Sequence, residues 1–80
     1  MPNKLGKQLT QLRRSSLRAS QAEVEGQWHV VVQCSLFCLE GAHGHGDLRA
    51  TRFFADKLAR AYTHMDMSTK AHYYKQLASS

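Results

Sequence analysis

Apolar and polar residues along this chain repeat with the period of a helix. Leu5, Leu9, Leu12 and Ser16 stand at i, i+4, i+7 and i+11, a narrow apolar stripe in a polar, basic segment. Gly6 and the Arg-Ser-Ser run weaken it, so the spacing predicts a partly ordered N-terminal helix. Ser20-Gln21-Ala22-Glu23 has the form of a capping box, in which the Ser hydroxyl accepts from the third amide and the Glu reaches back to the Ser amide. That predicts a helix over 20–40, closed by Gly41 in the left-handed conformation that only Gly takes cheaply. Within it His29, Gln33, Phe37 and Glu40 form one mostly polar stripe. Trp28, Val31, Val32, Leu36, Cys38 and Leu39 fill the remaining circumference, the pattern of a central, buried helix. The β-branched and aromatic content of Trp28 to Phe37 also suits a strand, and the capping signals decide for helix. Gly26 marks a kink or a later start.

The run Gly41 to Gly46, "GAHGHG", is a turn by composition, and Asp47 offers the next N-cap. Thr51, Phe54, Leu58, Tyr62 and Met65 then recur at i, i+3, i+7, i+11 and i+14. Phe53 widens this apolar face, while Arg49, Arg52, Asp56 and Arg60 lie on the opposite one. This is an amphipathic helix over 47–65. Ser68 is placed to cap a last helix over 68–78, packed through Tyr73, Tyr74 and Leu77. The expected fold is an all-α bundle of about three helices, with a C-terminal antiparallel αα-hairpin and a basic N-terminal helical arm. The arm covers 1–19 and the helical domain 20–80.

Leu58 to Ala78, "LARAYTHMDMSTKAHYYKQLA", resembles one hairpin of the tetratricopeptide repeat family. Leu58 and Ala59 precede Tyr62 by four and three positions, and the small residues Ala71 and Ala78 follow where that family places its own. The resemblance implies two closely crossing helices and a tendency to bind proteins. Asp66 stands at the usual Gly of the turn, Lys75 stands at an aromatic position, and the pattern occurs in one copy.

Eighty residues make one small domain. A chain of this length buries only about 60–65 % of the surface its unfolded form exposes, so its core is marginal and favours a partner or a second copy. Charge changes the picture further. Of the 11 Lys and Arg, five (Lys4, Lys7, Arg13, Arg14 and Arg18) precede Ser20 with no acidic residue among them; the other six balance the six acidic residues, so the net +5 belongs to the arm. Such an arm suits nucleic acid, an acidic protein surface, or an Arg- and Ser-rich transit segment. No apolar run approaches the roughly 20 residues of a membrane span. Two Cys without a secretion signal point to free thiols in a reducing, cytoplasmic setting.

Candidate chemistry is sparse. Cys34 and Cys38 stand one helical turn apart, with His43 and His45 following across a Gly-rich turn, and zinc accepts such donors. Their spacing departs from the common structural zinc patterns, and both thiols sit among Val, Leu and Phe, so they read as small buried hydrophobes. No cofactor or metal is therefore expected. A Cys nucleophile needs an exposed, electropositive setting beside a base; with no phosphate loop or paired carboxylates either, a non-enzymatic protein is expected. Large apolar side chains exceed what a core of this size encloses. The expected function is a protein–protein interaction module, a regulator or inhibitor that docks on a larger partner and forms a homodimer. Phe53, Tyr62, Tyr73 and Tyr74 are its expected contact residues, with Arg49, Arg52 and Arg60 on the rim. The alternative is a nucleic-acid-binding protein that neutralises phosphates with the five arm cations.

Overall fold

The structure, a computed structural model, describes residues 4–80; the side chains of Lys4, Leu5, Lys7 and Gln8 lie outside the description. Four helices follow one another: α1 (Lys4–Glu25), α2 (Trp28–Gly44), α3 (Leu48–His64) and α4 (Ser68–Ser79). No strand occurs among the described residues, and the fold is a small all-α bundle. Each helix packs on its neighbours in sequence, α1 on α2, α2 on α3 and α3 on α4.

The bounds of the helices differ from the sequence expectation. α1 runs unbroken through the expected boundary between arm and domain. Ser20 to Glu23 therefore lie inside a helix, where the amides a capping box would satisfy already bond within α1. The break falls instead at Gly26, the nearby residue with positive φ (73°). α2 likewise continues through Gly41 to Gly44. Gly41 is a crossing point, because a Cβ there would stand 2.5 Å from Cδ2 of Leu12; its missing side chain lets α1 approach α2. Ser68 is the first residue of α4 rather than its cap. The cap position belongs to Met67, and no side chain caps that end. Asp47 caps α3 as expected, its carboxylate accepting from the Ala50 amide at 3.0 Å.

The three connections share one geometry. At the end of α1 the Gln27 amide donates to Ala22 O (2.8 Å) and the Gly26 amide to Glu23 O (3.2 Å). After α2 the Asp47 amide donates to Ala42 O (2.9 Å) and Gly46 to His43 O (3.0 Å), and after α3 Met67 donates to Tyr62 O (2.9 Å) and Asp66 to Thr63 O (3.1 Å). Each is a Schellman motif with its left-handed residue at Gly26, Gly46 or Asp66, where φ is 73°, 68° and 57°. These positions are spaced by twenty residues each. The chain is thus a helical array of twenty-residue period, and the α1–α2 hairpin corresponds to the α3–α4 hairpin forty residues later.

The same period places the core. Ala22, Ala42 and Tyr62 are equivalent and all buried, as are Ser35 and Ala55. Ala22, Val31 and Ala61 bring α1, α2 and α3 together, with Trp28, Val30 and Val32 packed around them. Trp28 at the start of α2 stacks on His64 at the end of α3, with ring centroids 4.0 Å apart. The result is a slab of 46 × 28 × 14 Å with a radius of gyration of 12.8 Å, against about 11.6 Å for a spherical domain of this length.

Candidate interaction surface

α3 is amphipathic as the spacing predicts. Thr51, Phe54, Leu58 and Tyr62 are buried, while Arg49, Arg52, Asp56 and Arg60 face solvent. Arg49, Phe53 and Arg60, at i, i+4 and i+11, share one outward stripe. Phe53 is 51 % exposed, yet its ring is held. It meets Phe54 edge to face (centroids 5.1 Å, interplanar angle 86°), and the Lys57 ammonium lies 5.1 Å from its centroid. Two neighbours thus contact this exposed ring.

The base of the stripe is an ion network. Lys57 Nζ lies 2.9 Å from Glu23 Oε1, and Arg60 bridges Glu23 (3.1 Å) and Asp56 (3.3 Å). Burial by itself would raise the Glu23 carboxyl; the hydrogen bond from Lys57 and the charges of Lys57, Arg60 and His64 outweigh it and hold the pKa below the ordinary value. No described carboxylate pairs with Arg49 or Arg52.

The other expected contact residues separate. Tyr62 is only 6 % exposed and belongs to the core of the α3–α4 hairpin, stacked on Tyr74 at 5.7 Å with the Lys70 ammonium 5.5 Å from its centroid. Its place in the apolar period of α3 was the signal that it packs inward. Tyr74 is half-buried, and burial, then the neighbouring Tyr62, Tyr73 and Glu40, push its hydroxyl pKa up. Tyr73 is 61 % exposed on α4, and its ring meets Tyr74 edge to face with centroids 4.9 Å apart.

Arg13, Arg14 and Arg18 of the arm are exposed on α1, and Lys4 and Lys7 have side chains outside the described residues. The forty-residue correspondence explains part of this placement. Thr51, Phe54, Leu58 and Ala61, buried in α3, correspond to Gln11, Arg14, Arg18 and Gln21 of α1, all exposed. At the other end Val31 and Ser35, fully buried in α2, correspond to half-buried Ala71 and exposed Lys75 of α4. An inner helix is covered on two sides and an end helix on one, so the free side turns polar, as in the terminal units of helical arrays. Sequence reasoning missed this period. Its signal is the spacing of Gly26, Gly46 and Asp66.

The two thiols sit in different settings. Cys38 is buried and donates to Leu12 O at 3.5 Å; burial, then the neighbouring Cys34, pushes its pKa up to about 11. Cys34 is half-buried, and His43 and His45 are exposed at the end of α2. No group of three His, Cys, Asp or Glu close enough to hold a metal occurs among the described residues, and no described helix is long and apolar enough to cross a membrane.

Comparison with protein-family models, curated proteins and solved structures gives no match to this chain. The tetratricopeptide resemblance therefore rests on Leu58, Ala59, Tyr62, Ala71 and Ala78 alone.

Proposed function

We propose that this protein is a non-enzymatic interaction module that docks the outward stripe of α3 on a larger protein and regulates or inhibits it by occupying a groove. The observation that carries this reading is Phe53, an exposed aromatic ring held between Phe54 and Lys57 with Arg49 and Arg60 beside it. An aromatic anchor with an Arg rim is the usual make-up of an energetic centre in an interface. The exposed area agrees. The chain presents 5817 Å² to solvent, against about 4,900 Å² for a compact monomer of its mass, and a partner in a standard interface covers about 800 Å². The test is affinity capture from host lysate with light scattering of the purified complex. One protein should be retained stoichiometrically and lost on Phe53→Glu. A strictly monomeric protein that retains only nucleic acid would defeat the reading.

The exposure of Arg13, Arg14 and Arg18 keeps nucleic acid as the second reading. Arg14 and Arg18 share one face of α1 at i and i+4, with Arg13 about 100° around the helix from Arg14; binding through these three is expected to be weak and independent of sequence. It should lose about one unit of salt slope per arginine removed. Binding that survives 0.3 M salt, taken here as roughly twice physiological ionic strength, would make this the primary function.

A further inference from the structure

We propose that the cleft between α3 and α4 is the seat for α1 of a second copy of this chain, so that copies join head to tail and continue the helical array. The pattern for this contact lies inside the molecule. Lys57, Ala61 and His64, at i, i+4 and i+7, form one stripe by which α3 meets α1 and α2. Lys57 pairs with Glu23, Ala61 packs with Ala22 and Val31, and His64 stacks on Trp28. Forty residues on from that groove, α3 and α4 leave a cleft of about 480 Å³ lined by Ala59, Thr63, Ser68, Ala71 and Lys75, together with Asp66 and His72. The first five are the equivalents of Ala19, Glu23, Trp28, Val31 and Ser35 in the α1–α2 hairpin. Ala19, Val31 and Ser35 are fully buried there, whereas Thr63, Ser68 and Lys75 are exposed and Ala71 is half-buried. The last hairpin thus repeats the groove that seats α3, and no described helix lies on it.

The occupant follows from the same register. α1 stands forty residues before α3, and at the places of Lys57, Ala61 and His64 it carries Leu17, Gln21 and Val24. Leu17 is 73 % exposed and Val24 89 %, more than any other large apolar side chain among the described residues. Seat and helix change together between the two ends. Where the groove holds Glu23, α3 brings Lys57; where it holds Thr63, α1 brings Leu17. Where the groove holds the Trp28 ring, α3 brings the His64 ring; where it holds the small Ser68, α1 brings Val24. Neither pairing strands a charge, and the two aliphatic side chains lose contact with water. Cations oppose the contact. Arg14 and Arg18 flank Leu17 on α1, Lys75 lies in the seat, and each copy carries a net +5. Self-association is therefore weak at low salt and strengthens as salt screens the copies, the reverse of nucleic-acid binding. A contact between two different faces of identical chains does not close at two copies.

The test is analytical sedimentation of the full chain up to about 1 mM, the scale of a weak contact. The average mass should rise with concentration and pass two chains, and rise further as salt is raised. Leu17→Lys sets a cation opposite Thr63, and Thr63→Glu sets a carboxylate opposite Leu17. Each should weaken self-association about tenfold or more, the scale of an unpaired charge in a contact. An equimolar mixture of L17K and T63E should recover it, because the two new charges pair between copies as Lys57 and Glu23 pair within the chain. Both positions are exposed, and circular dichroism establishes that the variants keep their helices. A monomer at every concentration overturns the proposal, as does a dimer that takes up no third chain. Single variants that associate like the parent, or a mixture no stronger than either variant alone, overturn it as well. So does a T63E protein that associates more strongly than the parent, since net charge alone would then govern the contact. A monomer whose lysate partner is lost with T63E would give the seat to another protein and likewise overturn it.

Discussion

Lys57 of α3 donates to Glu23 of α1 across 2.9 Å, with the lysine side chain 4 % exposed and the glutamate 24 %. This pair ties together two helices that are separated in the chain by the whole of α2. Removing one member of a buried pair strands the other, although Glu23 keeps Arg60 and some solvent. Lys57→Ala should therefore cost about 1–3 kcal/mol, below the full penalty for a wholly buried partner. Glu23→Leu with Lys57→Met should recover most of that loss, because the desolvation cost disappears with the charges. Urea unfolding of the single and double variants measures both, and a Lys57→Ala protein as stable as the parent would show that the pair contributes nothing.

The same carboxylate sets a pH dependence. The folded pKa of Glu23 lies below its ordinary 4.5, so the folded state binds fewer protons than the unfolded one as pH falls through that region. The contribution is fully present above 4.5 and is lost as pH drops through the lowered value. The melting temperature should decline below pH 4.5, and Glu23→Gln should flatten that part of the profile. A profile of unchanged shape in the variant would place the acid sensitivity elsewhere.

The three helix ends differ in how well their residues suit the turn. Asp66 holds φ 57° where the equivalent positions use Gly26 and Gly46. Asp66→Gly should raise stability by up to about 1 kcal/mol, and Gly46→Ala should lower it by about 1 kcal/mol. Thermal melts of the two variants should move in opposite directions; shifts of the same sign would contradict the shared turn geometry.

Thiol chemistry separates the two cysteines. With its pKa near 11 rather than 9.0, Cys38 holds about a hundredfold less thiolate than an ordinary thiol at pH 8, and thiolate is the reactive form. Iodoacetamide on the folded protein should modify Cys34 first, with Cys38 protected until urea unfolds the chain. Mass mapping that finds Cys38 alkylated first would mean that the end of α2 is open.

Residue spacing alone was enough for the helical class, for the polar stripe of His29, Gln33, Phe37 and Glu40 on α2, and for α3 with its Asp47 cap. Each of these depends on contacts within a few residues, and a strongly periodic segment states its own buried face. The spacing of Gly26, Gly46 and Asp66 held the period of the array as well, though no single turn announces it. What only the tertiary structure decided involves partners distant in the chain. Ser20 to Glu23 has the form of a helix start, but packing of Ala19 and Ala22 against neighbouring helices keeps α1 continuous across it. Gly41 looks like a stop until Leu12 is seen lying against it. Lys57 is a buried cation because Glu23, thirty-four residues earlier, stands opposite.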